Sequence, residues 1–247
     1  MTIYKKKSNY SAKNEIFLEL FNNFVLDSQK FVRVAVLEIF GPFISHLEKE
    51  ELHQTYFDFF KNSLEEYFFN VKEFNLETQS SFYLSIKYNW AYNFPALIFC
   101  YGKEYWHMVK RIYSELAKDN HLKVKKCIIS SFHELVKLLD EDDVKNDLLP
   151  LYDDFITSTN NEIRSLALKK LPCFMNHLKP DFRMKYRNYF KIYNIDFILN
   201  QAKWRSKIEI LENYENYFDL FENEIILNRI IPLVVKFCRD EVFSYNY

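Results

Sequence analysis

The chain has 247 residues, with 33 Lys plus Arg against 34 Asp plus Glu, so it lacks the basic excess typical of proteins that bind nucleic acid. Only 2 Gly and 6 Pro occur, which argues against all-β folds with many tight turns and against glycine-rich nucleotide-binding loops. Apolar residues make up 49% of the chain, yet no apolar run is long enough to span a membrane. We therefore expect no nucleic-acid partner and no membrane insertion.

The beginning of the chain and its cysteines indicate where the protein works. Residues 1–13, which include Lys5, Lys6 and Lys7, are predicted to form a flexible basic N-terminus without the apolar stretch of a secretory signal. The four cysteines form no CxxC pair and are expected to be reduced thiols. These features predict a protein of the cytoplasm, the nucleus or both.

From residue 14 onward a short cassette of an aliphatic, a basic and a small residue recurs about every 40 residues, each time after a polar turn. The cassettes contain Val32-Arg33, Val124-Lys125, Ile163-Arg164 and Trp204-Arg205. The last two intervals are 39 and 41 residues, and the first, 92 residues, corresponds to two periods of 46. A fixed period of this size is typical of stacked helix pairs. We predict an all-α, right-handed superhelical HEAT-repeat solenoid of about five and a half helix pairs over 14–247. Its repeats are 14–50, 51–103, 104–142, 143–181, 182–222 and a partial 223–247.

Apolar residues at helical spacing support two amphipathic helices in each repeat. The clearest apolar faces are Ile128, Phe132, Leu135 and Leu139; Leu148, Leu151, Tyr152 and Phe155; and Leu168, Leu171, Met175 and Leu178. The turn inside each pair is rich in Asp, Asn and Ser, so it is predicted to cap the second helix. A basic residue follows at a spacing of six in Asp27–Arg33, Asp119–Lys125 and Ser158–Arg164. Acidic and basic groups of successive turns are expected to alternate along a ridge.

Two prolines share a register in the repeats. Pro150 and Pro232 lie 82 residues apart, about two periods, and each follows a pair of aliphatic residues in the first helix of a repeat. Proline inside a helix removes a hydrogen bond and bends the helix. The first helices of these repeats are therefore predicted to be bent. Pro42, Pro95 and Pro172 are predicted to bend second helices.

The residues that could carry chemistry favour no enzyme. The histidines show no HExxH or HxxxH spacing, and the acidic run at 140–143 lacks the glycine and spaced ligands of a calcium loop. We expect no catalytic residue, no metal and no cofactor. In the aromatic stretch from Trp90 to Phe94, residues two apart lie on different helix faces. Trp90 and Tyr92 are accordingly possible aromatic anchors for a partner, with at least one ring of the stretch in the core.

Several stretches together resemble the HEAT-repeat regulatory subunit 1 of protein phosphatase 4, a relative of the scaffold subunit of protein phosphatase 2A. The resemblance rests on 91–96 (AYNFPA) with Gly102 and Trp106, 123–125 (KVK) with 131–135 (SFHEL), 147–150 (DLLP) through 162–164 (EIR) to 168–171 (LKKL), 200–205 with Trp204-Arg205, and 41–43 (GPF). The resemblance implies a non-catalytic regulatory or scaffold subunit. Such a subunit would bind a phosphatase catalytic subunit, direct it to substrates and contact other protein subunits, and the catalytic metals would belong to the partner.

A binding surface follows from the repeat pattern. We predict that the ridge of turns forms the contact edge for the partner. Its candidate residues are Asp27, Arg33, Asp119, Lys125, Ser158, Arg164, Trp204 and Arg205. An importin- or coat-like adaptor for transport cargo would use the same fold and remains an alternative. A HEAT-like DNA glycosylase needs a basic groove, which the balanced charge disfavours.

Overall fold

A computed structural model describes residues 15–65, 81–183, 185–186, 220, 223–232 and 235. Every regular element of this described part is helical. The chain divides into two compact units, Met1–Asp143 and Val144–Tyr247. The division lies one residue beyond the predicted end of the third repeat. That the repeats form a single solenoid stays a prediction.

The described part of the first unit is built from helices. They are α1 (15–25), α2 (Lys30–Ser45), α3 (Gln54–Glu65), α4 (Ser81–Tyr101), α5 (Trp106–Lys118) and α6 (Leu122–Leu138). Short 3₁₀ turns at Lys49–Glu51 and Lys103–Tyr105 precede α3 and α5. Helices α2, α4 and α6 are the second helices of the first three predicted repeats.

The helices pack in the order of stacked pairs. Helix α4 packs on α2 and on α6, which makes one layer of second helices, while α3 packs on α5 in the other layer. Contacts of α3 with α4 and of α5 with α6 join the layers. Each pair thus buries its apolar faces mainly against the neighbouring pair, as expected for a repeat protein. The predicted all-α, helical-repeat class is confirmed.

A continuous run of aromatic rings forms the core of the first unit. Phe40 of α2 stacks on Phe60 of α3 with ring centroids 5.3 Å apart, and Phe60 meets the edge of Phe94 of α4 at 5.3 Å. Phe94 contacts Tyr113 of α5 at 5.1 Å, and Tyr113 contacts Phe132 of α6 at 6.3 Å. All five side chains are fully buried. These rings therefore link five helices. Each ring pair contributes about 0.5–1.5 kcal/mol of stability beyond the contribution of the buried area.

Helices α2 and α4 are also joined by one buried side-chain amide. Asn93 is almost completely buried, and its Nδ2 donates to the carbonyl of Leu37 at 2.6 Å. Its Oδ1 accepts the backbone N–H of Gly41 at 3.0 Å. Leu37 and Gly41 stand four apart, the pair that an undistorted α-helix bonds directly. One residue before Pro42, the backbone of α2 is thus joined to α4 by two buried side-chain hydrogen bonds.

The second unit contains a helix pair that also packs through buried aromatic rings. Helix α7 (Leu149–Ile156) packs on α8 (Asn161–His177), and Tyr152 stacks on Phe174 with ring centroids 3.8 Å apart. The Tyr152 hydroxyl donates to the carbonyl of Ala167 at 2.7 Å. The three apolar faces predicted at 128–139, 148–155 and 168–178 are all buried, which confirms the helical phase read from the sequence.

The two repeated prolines each follow a π-helical turn. Val144–Leu148 precedes Pro150, and Ile226–Ile230 precedes Pro232, so the turns recur at the same spacing of 82 residues as the prolines. Pro150 lies in the first turn of α7, where a missing N–H costs little, rather than inside an α-helix as predicted. The widened turn fits the proline because proline cannot supply the α-helical hydrogen bond to the residue four before it. Pro42, Pro95 and Pro172 lie inside α2, α4 and α8.

Candidate functional site

The turn before α2 is held by its own basic residue. Asp27 Oδ1 accepts the N–H of Gln29, the N-cap of α2, at 2.7 Å. The guanidinium of Arg33 reaches back to the carbonyls of Asp27 at 2.5 Å and Ser28 at 3.2 Å. These bonds use both the acidic and the basic side chain within one turn. The turn is thereby fixed before any partner arrives.

The turn before α8 repeats this geometry. Arg164 donates to the carbonyl of Ser158 at 2.8 Å and to Oδ1 of Asn161 at 2.5 Å. Asn160 is the N-cap, and its Oδ1 accepts from the N–H groups of Glu162 and Ile163. The predicted capping is confirmed at this turn. Arg33 and Arg164 bond to carbonyls of their own turns, because an arginine six residues later reaches back over the first helical turn. The alternation of acidic and basic groups along a ridge stays a prediction.

The turn before α6 is tied to the neighbouring repeat instead. Asp119 Oδ2 lies 2.6 Å from Nζ of Lys87 on α4, and the Asp119 side chain is only 7% exposed. Its Oδ1 accepts the N–H of His121, the N-cap of α6, at 2.7 Å. Lys125 lies half-buried in the first turns of α6, and its amine forms no hydrogen bond to the described residues. Asn120, His121 and Lys123 of this turn are exposed, so they are available to a partner together with Lys125.

The remaining predicted site residues differ in how far their side chains are exposed. Trp90 is 3% exposed and belongs to the core, whereas Tyr92 is 58% exposed. Tyr92 thus remains a candidate anchor on the surface, and Trp90 serves packing. Trp204 and Arg205 lie outside the described residues. Whether the turns contact a partner stays a prediction.

The structure also contains a groove that the sequence did not reveal. It lies over the layer of second helices in the first unit and has a volume of about 830 Å³. It is lined by Glu38 of α2, by Leu84, Ser85, Tyr88, Asn89 and Tyr92 of α4, and by Lys123, Lys126, Cys127, Ser130 and Ser131 of α6. Cavities of this size accommodate ligands and side chains of partners.

The groove combines exposed aromatic rings with polar groups. The rings of Tyr88 and Tyr92 stack at 6.4 Å with 15° between their planes, and both are exposed. Asn89 is buried at its base, and its Nδ2 has no hydrogen-bond partner among the described residues. The signal for this face was present in the sequence, since Tyr88, Tyr92 and Phe99 stand at i, i+4 and i+11 and would share one helix face.

Cys127 in the groove has an unreactive thiol. Burial raises its pKa to about 11, so only about one thiol in a thousand is ionised at pH 8. We expect the rate of Cys127 alkylation by iodoacetamide, followed by mass spectrometry of its peptide, to rise tenfold per pH unit from pH 7 to pH 10. A rate that levels off near pH 9, as for an ordinary thiol, would contradict this environment. Cys100 and Cys173 are likewise unbridged and half-buried in the described part.

Within the described ranges, no group of three or more His, Cys, Asp or Glu side chains is placed to hold a metal ion. Across those same ranges, no helix is both long enough and apolar enough to traverse a bilayer.

The stacked pairs, ordered turns and open groove define an all-α helical-repeat protein. Residues 90–193 match the family model described as the Protein phosphatase 4 regulatory subunit 1 middle domain. The chain is 28% identical over 160 residues, 64% of its length, to the Serine/threonine-protein phosphatase 4 regulatory subunit 1 of Homo sapiens and to that of Mus musculus. The matched segment spans 16% of each relative. The family resemblance predicted from the motifs is confirmed.

Proposed function

We propose that this chain is a non-catalytic regulatory or scaffold subunit that binds a protein phosphatase 4- or 2A-like serine/threonine phosphatase catalytic subunit and directs it to substrates in the cytoplasm or nucleus. The observation that carries the proposal is the match of residues 90–193 to the regulatory subunit 1 middle domain. The similar relatives are named as regulatory subunits of this phosphatase. The helical-repeat fold suits the role because stacked repeats present extended surfaces to partners.

The turns inside the helix pairs are the proposed contact edge. The turns at 27–33 and 158–164 are each held by arginine bonds to their own carbonyls, and the turn at 119–125 is held by the Lys87–Asp119 pair. A surface ordered in advance loses little conformational entropy when a partner binds. By sequence, the segment with Trp204 and Arg205 continues this series.

Charge reversal in two turns tests the proposal. We expect the double variant Arg33→Glu, Lys125→Glu to bind a purified phosphatase 4 catalytic subunit about tenfold more weakly, because charged groups at an interface rim set the encounter and its specificity. Biolayer interferometry at physiological salt measures the affinity. The double variant Lys110→Glu, Arg111→Glu on the exposed side of α5 makes the same change of four charge units away from the turns and should bind as the natural chain does.

Unchanged capture of the phosphatase by the double variant, with a folded state verified by circular dichroism, would count against the turns as contact edge. Absence of phosphatase binding by the natural chain would count against the function itself. Recovery of a transport cargo or a small GTPase in place of the phosphatase would favour the adaptor alternative.

A further inference from the structure

We propose that the groove over α2, α4 and α6 is a docking site for an extended acidic peptide segment of a partner protein, with an apolar side chain on the tyrosine pair and a carboxylate at the α6 wall. The groove shares Lys123 with the turn at 119–125, but its tyrosine pair and Asn89 lie on α4, outside the turns. Its occupation does not depend on phosphatase binding, so either proposal can fail alone.

The tyrosine pair supplies the apolar contact. Tyr88 and Tyr92 present two nearly parallel rings to solvent on α4, one helical turn apart. Exposed tyrosines on a rigid helix offer a large contact area at a small entropy cost, which is why tyrosine is frequent among the residues that dominate binding energies. An aliphatic or aromatic side chain placed on these rings would bury apolar surface that the free chain leaves in water.

The charges of the groove select an acidic segment. Lys123 and Lys126 stand on the α6 wall, one helical turn apart, and Glu38 on the α2 wall is the acidic residue among the lining residues. The lining therefore carries one net positive charge, and its positive groups lie together on one side. A carboxylate bound beside α6 would meet the exposed side chain of Lys123 while staying across the groove from Glu38. Charge complementarity of this kind fixes the orientation of a bound segment as well as its sign.

Asn89 supplies a place for the peptide backbone. It is more than nine-tenths buried at the base of the groove, and its Nδ2 has no hydrogen-bond partner among the described residues. A buried donor without an acceptor costs free energy, so such a group in a folded protein calls for a reason. A peptide carbonyl entering the groove is the acceptor that this amide lacks. The orphan amide thus indicates a polar backbone as the ligand, in addition to the apolar side chain.

Selection from a phage library of random 12-residue peptides on the full chain tests the proposal. We expect enriched sequences with an aliphatic or aromatic residue next to Asp or Glu, and we would then measure the affinity of one enriched, fluorescein-labelled peptide by fluorescence anisotropy. Tyr92→Ser and Lys123→Glu should each weaken binding about tenfold. Phe99→Ser and Lys110→Glu are the matched controls, since both residues are exposed but lie outside the groove.

Asn89→Leu separates a binding role from a structural one. This change removes the orphan donor at nearly constant volume, so we expect the melting temperature to hold or rise while peptide affinity falls severalfold. A lower melting temperature together with unchanged peptide affinity would show that Asn89 is merely structural and would overturn its assigned role. Enrichment of basic or neutral peptides, enrichment of none, or equal binding by groove and control variants would overturn the docking site.

Discussion

Replacing Gly41 by alanine is expected to lower the free energy of unfolding by about 2–4 kcal/mol, although the same change in a helix interior ordinarily raises it by about 1 kcal/mol. A Cβ at this position would lie 2.4 Å from Oδ1 of Asn93. The amide of Asn93 would have to move. It would then lose its two buried hydrogen bonds, one to the carbonyl of Leu37 and one from the N–H of Gly41. Urea unfolding followed by circular dichroism measures the effect.

Two comparisons isolate the cause of this loss. Ala35→Gly on the exposed side of the same helix should cost about 1 kcal/mol, the ordinary propensity difference. In an Asn93→Ala background the steric conflict is gone, so Gly41→Ala should cost far less than in the natural chain, giving a large coupling energy. A Gly41→Ala variant more stable than the natural chain would contradict the close contact of α2 with α4.

Asn93→Asp is expected to destabilise the chain by about 2–4 kcal/mol at neutral pH, because it places a carboxylate beside a buried carbonyl oxygen. One carboxylate oxygen can still accept from Gly41, but the other faces the carbonyl of Leu37 without a proton. Burial and this repulsion should raise the pKa of the introduced carboxyl in the folded state. The protonated form restores the donor, so its stabilising effect is complete below the unfolded pKa of about 3.9 and is lost as pH rises through the higher folded value.

The pH dependence distinguishes this variant from an ordinary core defect. Unfolding free energies of Asn93→Asp and the natural chain, measured between pH 4 and pH 8, should differ more as pH rises. Asn93→Leu is the control, since it removes both bonds and carries no titratable group, and its penalty should not depend on pH. An Asn93→Asp penalty that is constant over this range would contradict the assigned hydrogen bonds.

The helical-repeat fold could be predicted because its signals are local. Apolar residues recur at every third or fourth position of the sequence, as expected for amphipathic helices. The faces that this spacing predicts at 128–139 and 168–178 are the ones that are buried. The register of the cassette also places Val124 and Ile163 in the core, where both are found. The spacing of Pro150 and Pro232 indicated a repeated distortion, but a π-helical turn before each proline was not foreseeable from spacing alone.

The groove could not be predicted because it depends on three helices that are distant in the chain. Asn89 and Asn93 stand one helical turn apart on α4 and look equivalent in the sequence. Only the placement of α2 makes Asn93 a partner of its backbone, while the Nδ2 of Asn89 has no hydrogen-bond partner in the described part of the chain. Likewise, the bonds of Arg33 and Arg164 to backbone carbonyls depend on the local path of each turn and could not be predicted.

Isothermal titration of the chain with a purified phosphatase 4 catalytic subunit, combined with cross-linking mass spectrometry of the complex, tests the proposed function most directly. We expect a stoichiometric complex whose cross-links join the catalytic subunit to lysines near the turns, Lys125 among them. The complex should form equally well with Tyr92→Ser in the groove. Absence of a complex, or a complex without cross-links to lysines near the turns, would contradict a regulatory subunit that holds its phosphatase through the turns.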